Sequence, residues 1–228
     1  MTKYFNIVAM GLGLVSTVLS PALAAEGDWQ VRLRGVNHHP RQLGDSDTLT
    51  IGGVATATNA IALDNDIVPE LDVVYNLHPR LGVELSLLHA EQDLRSRGGL
   101  GTLGSGAKLM NAESVSPSLT LQYLLLPNAA VQPYVGVGVS YTGYFGEDPT
   151  AAVVTAFGAS EAKLDDAWAL ALQAGADVPL VDQWVLNLDL KYIDRTSDMT
   201  LDTAASGRIA TELGIDPVVV GIGIGRRF

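Results

Sequence analysis

From Trp29 onward the chain alternates. Trp29, Val31, Leu33 and Gly35 share one side of an extended segment and Gln30, Arg32 and Arg34 the other, the two-residue period of a strand with one apolar face. A second segment sets Ile67, Pro69, Leu71, Val73 and Tyr75 against Asp66, Glu70, Asp72 and Asn76, and a third sets Leu81, Val83, Leu85 and Leu87 against Glu84 and Ser86. In the fourth, Val115, Leu119, Leu121 and Tyr123 oppose Ser116, Ser118, Thr120 and Gln122. The fifth to seventh turn Val131, Val135, Val137, Val139 and Tyr141, then Trp168, Leu170, Leu172 and Val178, then Trp184, Leu186, Leu188, Leu190 and Tyr192 outward. An eighth runs from Val218 to the terminal Phe228, with Val220, Ile222 and Ile224 on one side and Val219, Gly221, Gly223, Gly225 and Arg227 on the other.

The connections alternate as well. Short ones carry turn residues (Asn76 to Pro79, Leu126 to Asn128, Pro179 to Asp182), whereas those near 38–65, 91–113, 146–166 and 195–214 run to about twenty residues or more. Four such loops are out of place in a compact soluble domain and expected of a barrel whose short turns face the periplasm and whose long loops face outside. With strand direction alternating, Trp29, Tyr75, Tyr123, Trp184 and Phe228 fall at one interface and Tyr141, Trp168 and Tyr192 at the other. These are two aromatic girdles.

The start of the chain sets the compartment. Lys3, the apolar run Phe5 to Leu19, Pro21 and the small-residue site Ala22-Leu23-Ala24 read as a secretory signal over 1–24, cleaved before Ala25. The expectation is one exported domain over 25–228. No cysteine is present, so disulfides and thiolate metal sites are excluded. The formal net charge of -11 argues against nucleic acid as a partner. Although 47% of residues are hydrophobic, no segment after 24 offers the run needed for a spanning helix. Dispersed alternation of this kind suits a membrane only as a closed barrel, since open edges leave backbone groups unpaired in hydrocarbon. The predicted class is all-β: an eight-stranded antiparallel transmembrane β-barrel with long extracellular loops and short periplasmic turns.

Eight strands leave a bore just wide enough for side chains, which excludes a broad aqueous pore. The inward residues sort by depth. Toward the periplasm they are polar or charged, and Arg32, Glu70, Asp72, Glu84, Asp189 and Lys191 are the expected members of a salt-bridged lumen plug. Toward the outside, Val36, Val68, Leu88, Ala90, Ala167, Ala169, Ile193 and Val219 are the expected lining of an apolar funnel for a small hydrophobic ligand. The same lining also fits simple packing beneath ordered loops.

Four stretches resemble one known family: WALALQAGADVPLVDQWVLNLDLKYID from Trp168, SPSLTLQYLLLP from Ser116, VQPYVGVGVSYTGYF from Val131 and the terminal IDPVVVGIGIGRRF. Together and in order they are similar to the outer membrane protein W family, AlkL-type proteins included. The resemblance implies a barrel in the outer membrane of a Gram-negative bacterium that assists passage of small hydrophobic molecules, entering from outside and leaving sideways through the wall. Pro117 matches the second proline of the family's paired motif, and a proline gives the ladder no donor, a physical reason for a local gap. Ser116 stands where the family has the first proline, and a tolerated strand-start proline is the alternative reading. Arg226 replaces the usual aromatic and is expected to snorkel to the periplasmic interface.

Other motifs are weaker. Gly99 to Gly104 fits a dinucleotide fingerprint literally, but no amphipathic helix follows it. His38, His39, His78 and His89 are scattered, Asp45, Asp47, Asp64 and Asp66 read as solvated loop carboxylates, and no nucleophile, base and oxyanion donor converge. The expectation is no metal, no cofactor and no enzyme. Partners follow from the barrel: outer-membrane lipid and lipopolysaccharide, small apolar solutes, and the barrel-assembly machinery through Phe228. A structural or receptor barrel binding lipopolysaccharide, phage or bacteriocin through its loops is the alternative.

Overall fold

The computed structural model describes residues 26–41, 48–51, 54–58, 61–63, 66–96, 104–204 and 207–228. The expected signal sequence, Asp45, Asp47, Asp64 and residues 99–103 of the glycine-rich motif lie outside the described residues, as do the side chains of His38, His39 and Asp66. Among the described residues twelve strands form, in the order β1 (Trp29–Arg41), β2 (Thr48–Ile51), β3 (Val54–Thr58), β4 (Ile61–Leu63), β5 (Asp66–His78), β6 (Leu81–Ser96), β7 (Lys108–Leu124), β8 (Gln132–Pro149), β9 (Ala159–Leu164), β10 (Ala167–Pro179), β11 (Trp184–Thr203) and β12 (Gly207–Arg227). One helix, α1 (Ala151–Phe157), lies between β8 and β9. No helix of the described residues is long and apolar enough to cross a membrane.

Eight of these strands, β1, β5, β6, β7, β8, β10, β11 and β12, make an antiparallel circuit in which each pairs with its neighbour along the chain. The circuit closes where β12 pairs with β1, from Gln30 against Arg227 to Arg41 against Asp216, so neither is left as an edge. The alternation fixes which way each side chain points. Leu33, Ile67, Leu85, Leu119, Val137, Leu170, Leu188 and Ile222 are exposed on the outer wall, while Gln30, Arg32, Asp72, Glu84, Gln122 and Asn187 are buried inside. The girdles are paired across strands: Trp29 and Tyr75 stack at 4.7 Å at the periplasmic end, Tyr141 and Trp168 at 5.0 Å at the outer end. Short turns close the periplasmic side, at Pro79–Arg80, over 125–131 and over 180–183, where Asp182 and Gln183 adopt positive φ of 53° and 66°.

The long connections are not irregular. Strands β6 and β7 stay paired up to Arg95 and Lys108, and β11 and β12 up to Thr203 and Gly207. Strand β9 adds to β11, β2 to β12, β3 to β2 and β4 to β6. The expected loop at 38–65 likewise begins with four residues of β1, and the expected loop at 146–166 contains α1, which ends at the left-handed Gly158 with φ 62°. The pattern continues above the membrane with its phase inverted. On β11, Leu186, Leu188 and Leu190 face outward below, whereas Met199 and Leu201 face inward above, with Thr196 and Asp198 turned to solvent. Only lipid rewards an apolar outer face, so a strand leaving it returns to the soluble rule of apolar inside.

Candidate functional site

The lumen is stratified. At the periplasmic floor, Asp177 accepts from Gln30 Nε2 at 3.1 Å, Arg32 Nη2 at 3.1 Å and Asn187 Nδ2 at 2.7 Å. Arg227 donates to Gln30 Oε1 at 3.0 Å and Gln132 Oε1 at 2.8 Å.

Above the floor, β1, β5, β6 and β11 bring their charges to one centre. Arg34 is its hub: it lies 2.8 Å from Glu70, 3.4 Å from Glu84 and 3.1 Å from Asp189, and in closer contact with Asp72. Lys191 Nζ reaches Glu70 at 3.1 Å, Glu84 at 3.3 Å and Ser86 Oγ at 3.1 Å, and Arg32 pairs with Glu84 at 2.9 Å. Tyr134 donates to Asp189 at 2.6 Å, and Gln173 donates to Glu84 at 2.9 Å and Asp189 at 2.8 Å. Through floor and centre together, four buried cations (Arg32, Arg34, Lys191, Arg227) face five buried carboxylates (Glu70, Asp72, Glu84, Asp177, Asp189). Burying so many charges is tolerable only because nearly all are paired and hydrogen-bonded. Glu84 and Asp72 have no exposed surface at all, so the layer is closed.

Glycines on the inner face of β12 make this packing possible. A Cβ at Gly225 would sit 2.8 Å from Arg32 Cγ, and one at Gly223 would strike Arg34 itself. The alternation of isoleucine and glycine before the carboxy terminus therefore serves both faces, lipid on one and the arginine side chains on the other.

Next comes an apolar collar. Val36, Val68, Leu88, Ala90, Ala169, Ala171, Ile193 and Val219 form one cluster, each no more than 8% exposed. Seven of the eight expected lining residues are in it; Ala167 is buried elsewhere, and Ala171 takes part unforeseen. In a bore this narrow these side chains cluster together, buried from water.

The expected apolar gradient also stops there. Over the collar, Ser116 and Thr142 share a 2.9 Å hydroxyl contact, Ser118 donates to Ser140 at 2.8 Å, and Arg195 donates to Thr142 at 2.6 Å. A second apolar cluster built from Leu94, Met110, Val153, Leu164, Met199 and Leu201 caps the extracellular end.

Pro117 sits in β7 opposite Leu87 of β6. Toward β8 the ladder is paired at Val115 with Gly143 and at Ser118 with Ser140, but at neither Ser116 nor Pro117. Across that break the wall is held by the Ser116–Thr142 side chains. A second interruption, not foreseen, lies between β11 and β12, where Tyr192 pairs with Val218 and Arg195 with Ile215 but the residues between do not pair; Pro217 is among them.

The six charged residues expected of the plug lie together in one buried set, whose hub, Arg34, was not among them. Arg34 shares the inward parity of Arg32, and that signal sufficed to include it. The roles of Tyr134, Gln122 and Gln173 had no signal beyond parity, since their partners lie far along the chain. His89 points outward, 3.8 Å from Glu113 and beside Phe145, away from the lumen hydroxyls. Arg226, exposed at the periplasmic end, lies over the Phe228 ring at 5.5 Å. Among the described residues no three His, Cys, Asp or Glu side chains group as a metal site.

A sealed eight-stranded cylinder with an apolar belt, two aromatic girdles and a polar bore is an outer-membrane barrel. Residues 25–228 match the OmpW family, and the chain belongs to it. It is 25% identical to outer membrane protein AlkL of Ectopseudomonas oleovorans over 96% of each chain, and 28% identical to the dibenzothiophene metabolism operon protein PahQ of Pseudomonas aeruginosa over 92% of each. Among solved structures, the outer membrane protein OprG of Pseudomonas aeruginosa superposes with a TM-score of 0.81 at 28% identity, covering 90% of this chain and 97% of that one.

Proposed function

We propose that this barrel is a passive, cofactor-free and non-enzymatic channel for small hydrophobic molecules. The observation that carries the reading is the juxtaposition of an apolar collar with a closed ionic layer directly beneath it. An apolar solute gains by entering the collar and loses by crossing the charges, so it stops there. Its remaining way out is sideways, and the unpaired stretch at Ser116–Pro117 between β7 and β8 is our candidate exit. That the relative PahQ is a dibenzothiophene metabolism operon protein agrees with an aromatic or otherwise apolar cargo. Lipid and lipopolysaccharide surround the belt, and Phe228, exposed at the periplasmic rim, is our candidate contact for the assembly machinery.

Uptake of a labelled apolar compound into cells or liposomes tests this. Val68→Asp and Leu88→Asp, each placing a carboxylate in the collar, lower flux by about tenfold or more while the barrel stays heat-modifiable on gels. The competing reading is a receptor barrel, favoured by the separate packed core of the extracellular end. Unchanged flux in both folded variants would select it.

A further inference from the structure

Among the described residues, one buried cation in the lumen has no counter-ion. Arg32, Arg34, Lys191 and Arg227 each pair with a buried carboxylate. Arg195, only 4% exposed, has none among the described residues. Its Nη1 donates to Thr142 Oγ1 at 2.6 Å and its guanidinium lies 5.9 Å from the Tyr144 ring centroid. Its Nε and Nη2 have no hydrogen-bond partner among the described residues. Those two N–H groups form the edge of a guanidinium that matches a carboxylate with two parallel hydrogen bonds. The same protein shows that match at its surface, where Arg208 Nε and Nη2 donate to the two oxygens of Asp202 at 2.9 and 3.1 Å.

Position gives the ligand its second half. On β11 the inward residues run Lys191, Ile193, Arg195, Ser197, so Arg195 stands one inward step above a collar residue. Beside it, β7 and β8 supply hydroxyls rather than carboxylates, at Ser116 and Thr142. A neutral apolar cargo needs no cation at the collar's mouth, and burying one unpaired is costly.

We propose that the upper lumen is a site for small monocarboxylate amphiphiles: Arg195 holds the carboxylate through Nε and Nη2, Thr142 and Ser116 border the headgroup, and the hydrocarbon descends into the collar. This narrows the cargo class and rests on the channel reading. An uncharged hydrocarbon still enters, but an alkyl or aryl acid binds in preference to the corresponding alcohol.

The test is titration of the intact barrel in lipid nanodiscs with octanoate and with octanol, heats from empty nanodiscs subtracted, at a pH where octanoate is ionised. Octanoate binds about tenfold or more tightly than octanol. Arg195→Gln removes that preference and leaves octanol binding within about twofold of the parent. Arg195→Lys, which keeps the charge and loses the two-pronged edge, retains only part of the preference, and it is the variant to read should Arg195→Gln fail to fold. Equal affinities in the parent, or an octanoate preference that survives in Arg195→Gln, overturn the proposal. Octanol that binds without any octanoate preference overturns the headgroup assignment alone, whereas failure of both ligands overturns the channel reading with it.

Discussion

Tyr134 lies across the bare backbone of Gly175 and donates its hydroxyl hydrogen bond to Asp189 at 2.6 Å. A side chain at 175 has nowhere to go, because a Cβ there collides with the tyrosine ring and with the Leu188 carbonyl. Gly175→Val therefore costs about 3 kcal/mol and shows as loss of the heat-modifiable band. Tyr134→Phe keeps the ring and removes a hydrogen bond to a charged acceptor, at about 1.5–3 kcal/mol. Urea titration in lipid vesicles should rank the two in that order, with the phenylalanine variant still folded.

Arg34 meets Glu70, Asp72, Glu84 and Asp189 at once. Removing a buried charge from such a set leaves its partners exposed to one another, so Arg34→Met is destabilising by about 3–5 kcal/mol. Adding Asp72→Asn to the same chain returns part of that loss, because one of the stranded carboxylates disappears. A double-mutant cycle in urea measures the recovery; strictly additive losses would show that the two do not act as a pair.

The proposed exit at Pro117 has a direct lock. Ser116 and Thr142 face each other across the break at 2.9 Å, and the chain has no native cysteine to interfere. With Ser116→Cys and Thr142→Cys introduced together, oxidation closes the seam by a disulfide, which needs Cβ atoms about 3.5–4.5 Å apart. Flux of an apolar tracer falls in the oxidised protein and returns on reduction. Flux indifferent to reductant moves the exit elsewhere, and the break beside Pro217 is then the next seam to lock.

Acid acts on the extracellular end. Asp166 accepts the Tyr141 hydroxyl at 2.6 Å and the Tyr144 amide at 3.1 Å, bonds that hold its carboxyl below the ordinary aspartate range. A depressed folded pKa means the contribution is present above the unfolded value, about 3.9, and fades as pH falls through the lower folded one. Tyrosine absorbance at 141 should therefore change below about pH 4 in the parent and stay flat in Asp166→Asn.

The eight spanning strands, their facing and the girdles were legible because lipid, unlike water, enforces a strict two-residue rule on the outer wall. Leu85 and Leu87 announce β6 clearly; His89, Glu91 and Asp93 on the same side do not, so the strand looked finished where its solvent changed. The charged set was legible by parity. That Arg34 rather than Arg32 sits at the hub was not, since four carboxylates from three other strands reach it only once the cylinder closes. Strand patterns report facing, not the distance across a bore.

The inversion of phase along β11 gives the barrel a waterline. A shift outward by one inward-outward pair would lift Leu190 toward water, and a shift inward would drag Thr196 into hydrocarbon. Both displacements are penalised, by opposite faces of a single strand. The depth at which the collar sits in the bilayer is thereby written into the wall itself, and the exit proposed at that height would face acyl chains rather than either aqueous side.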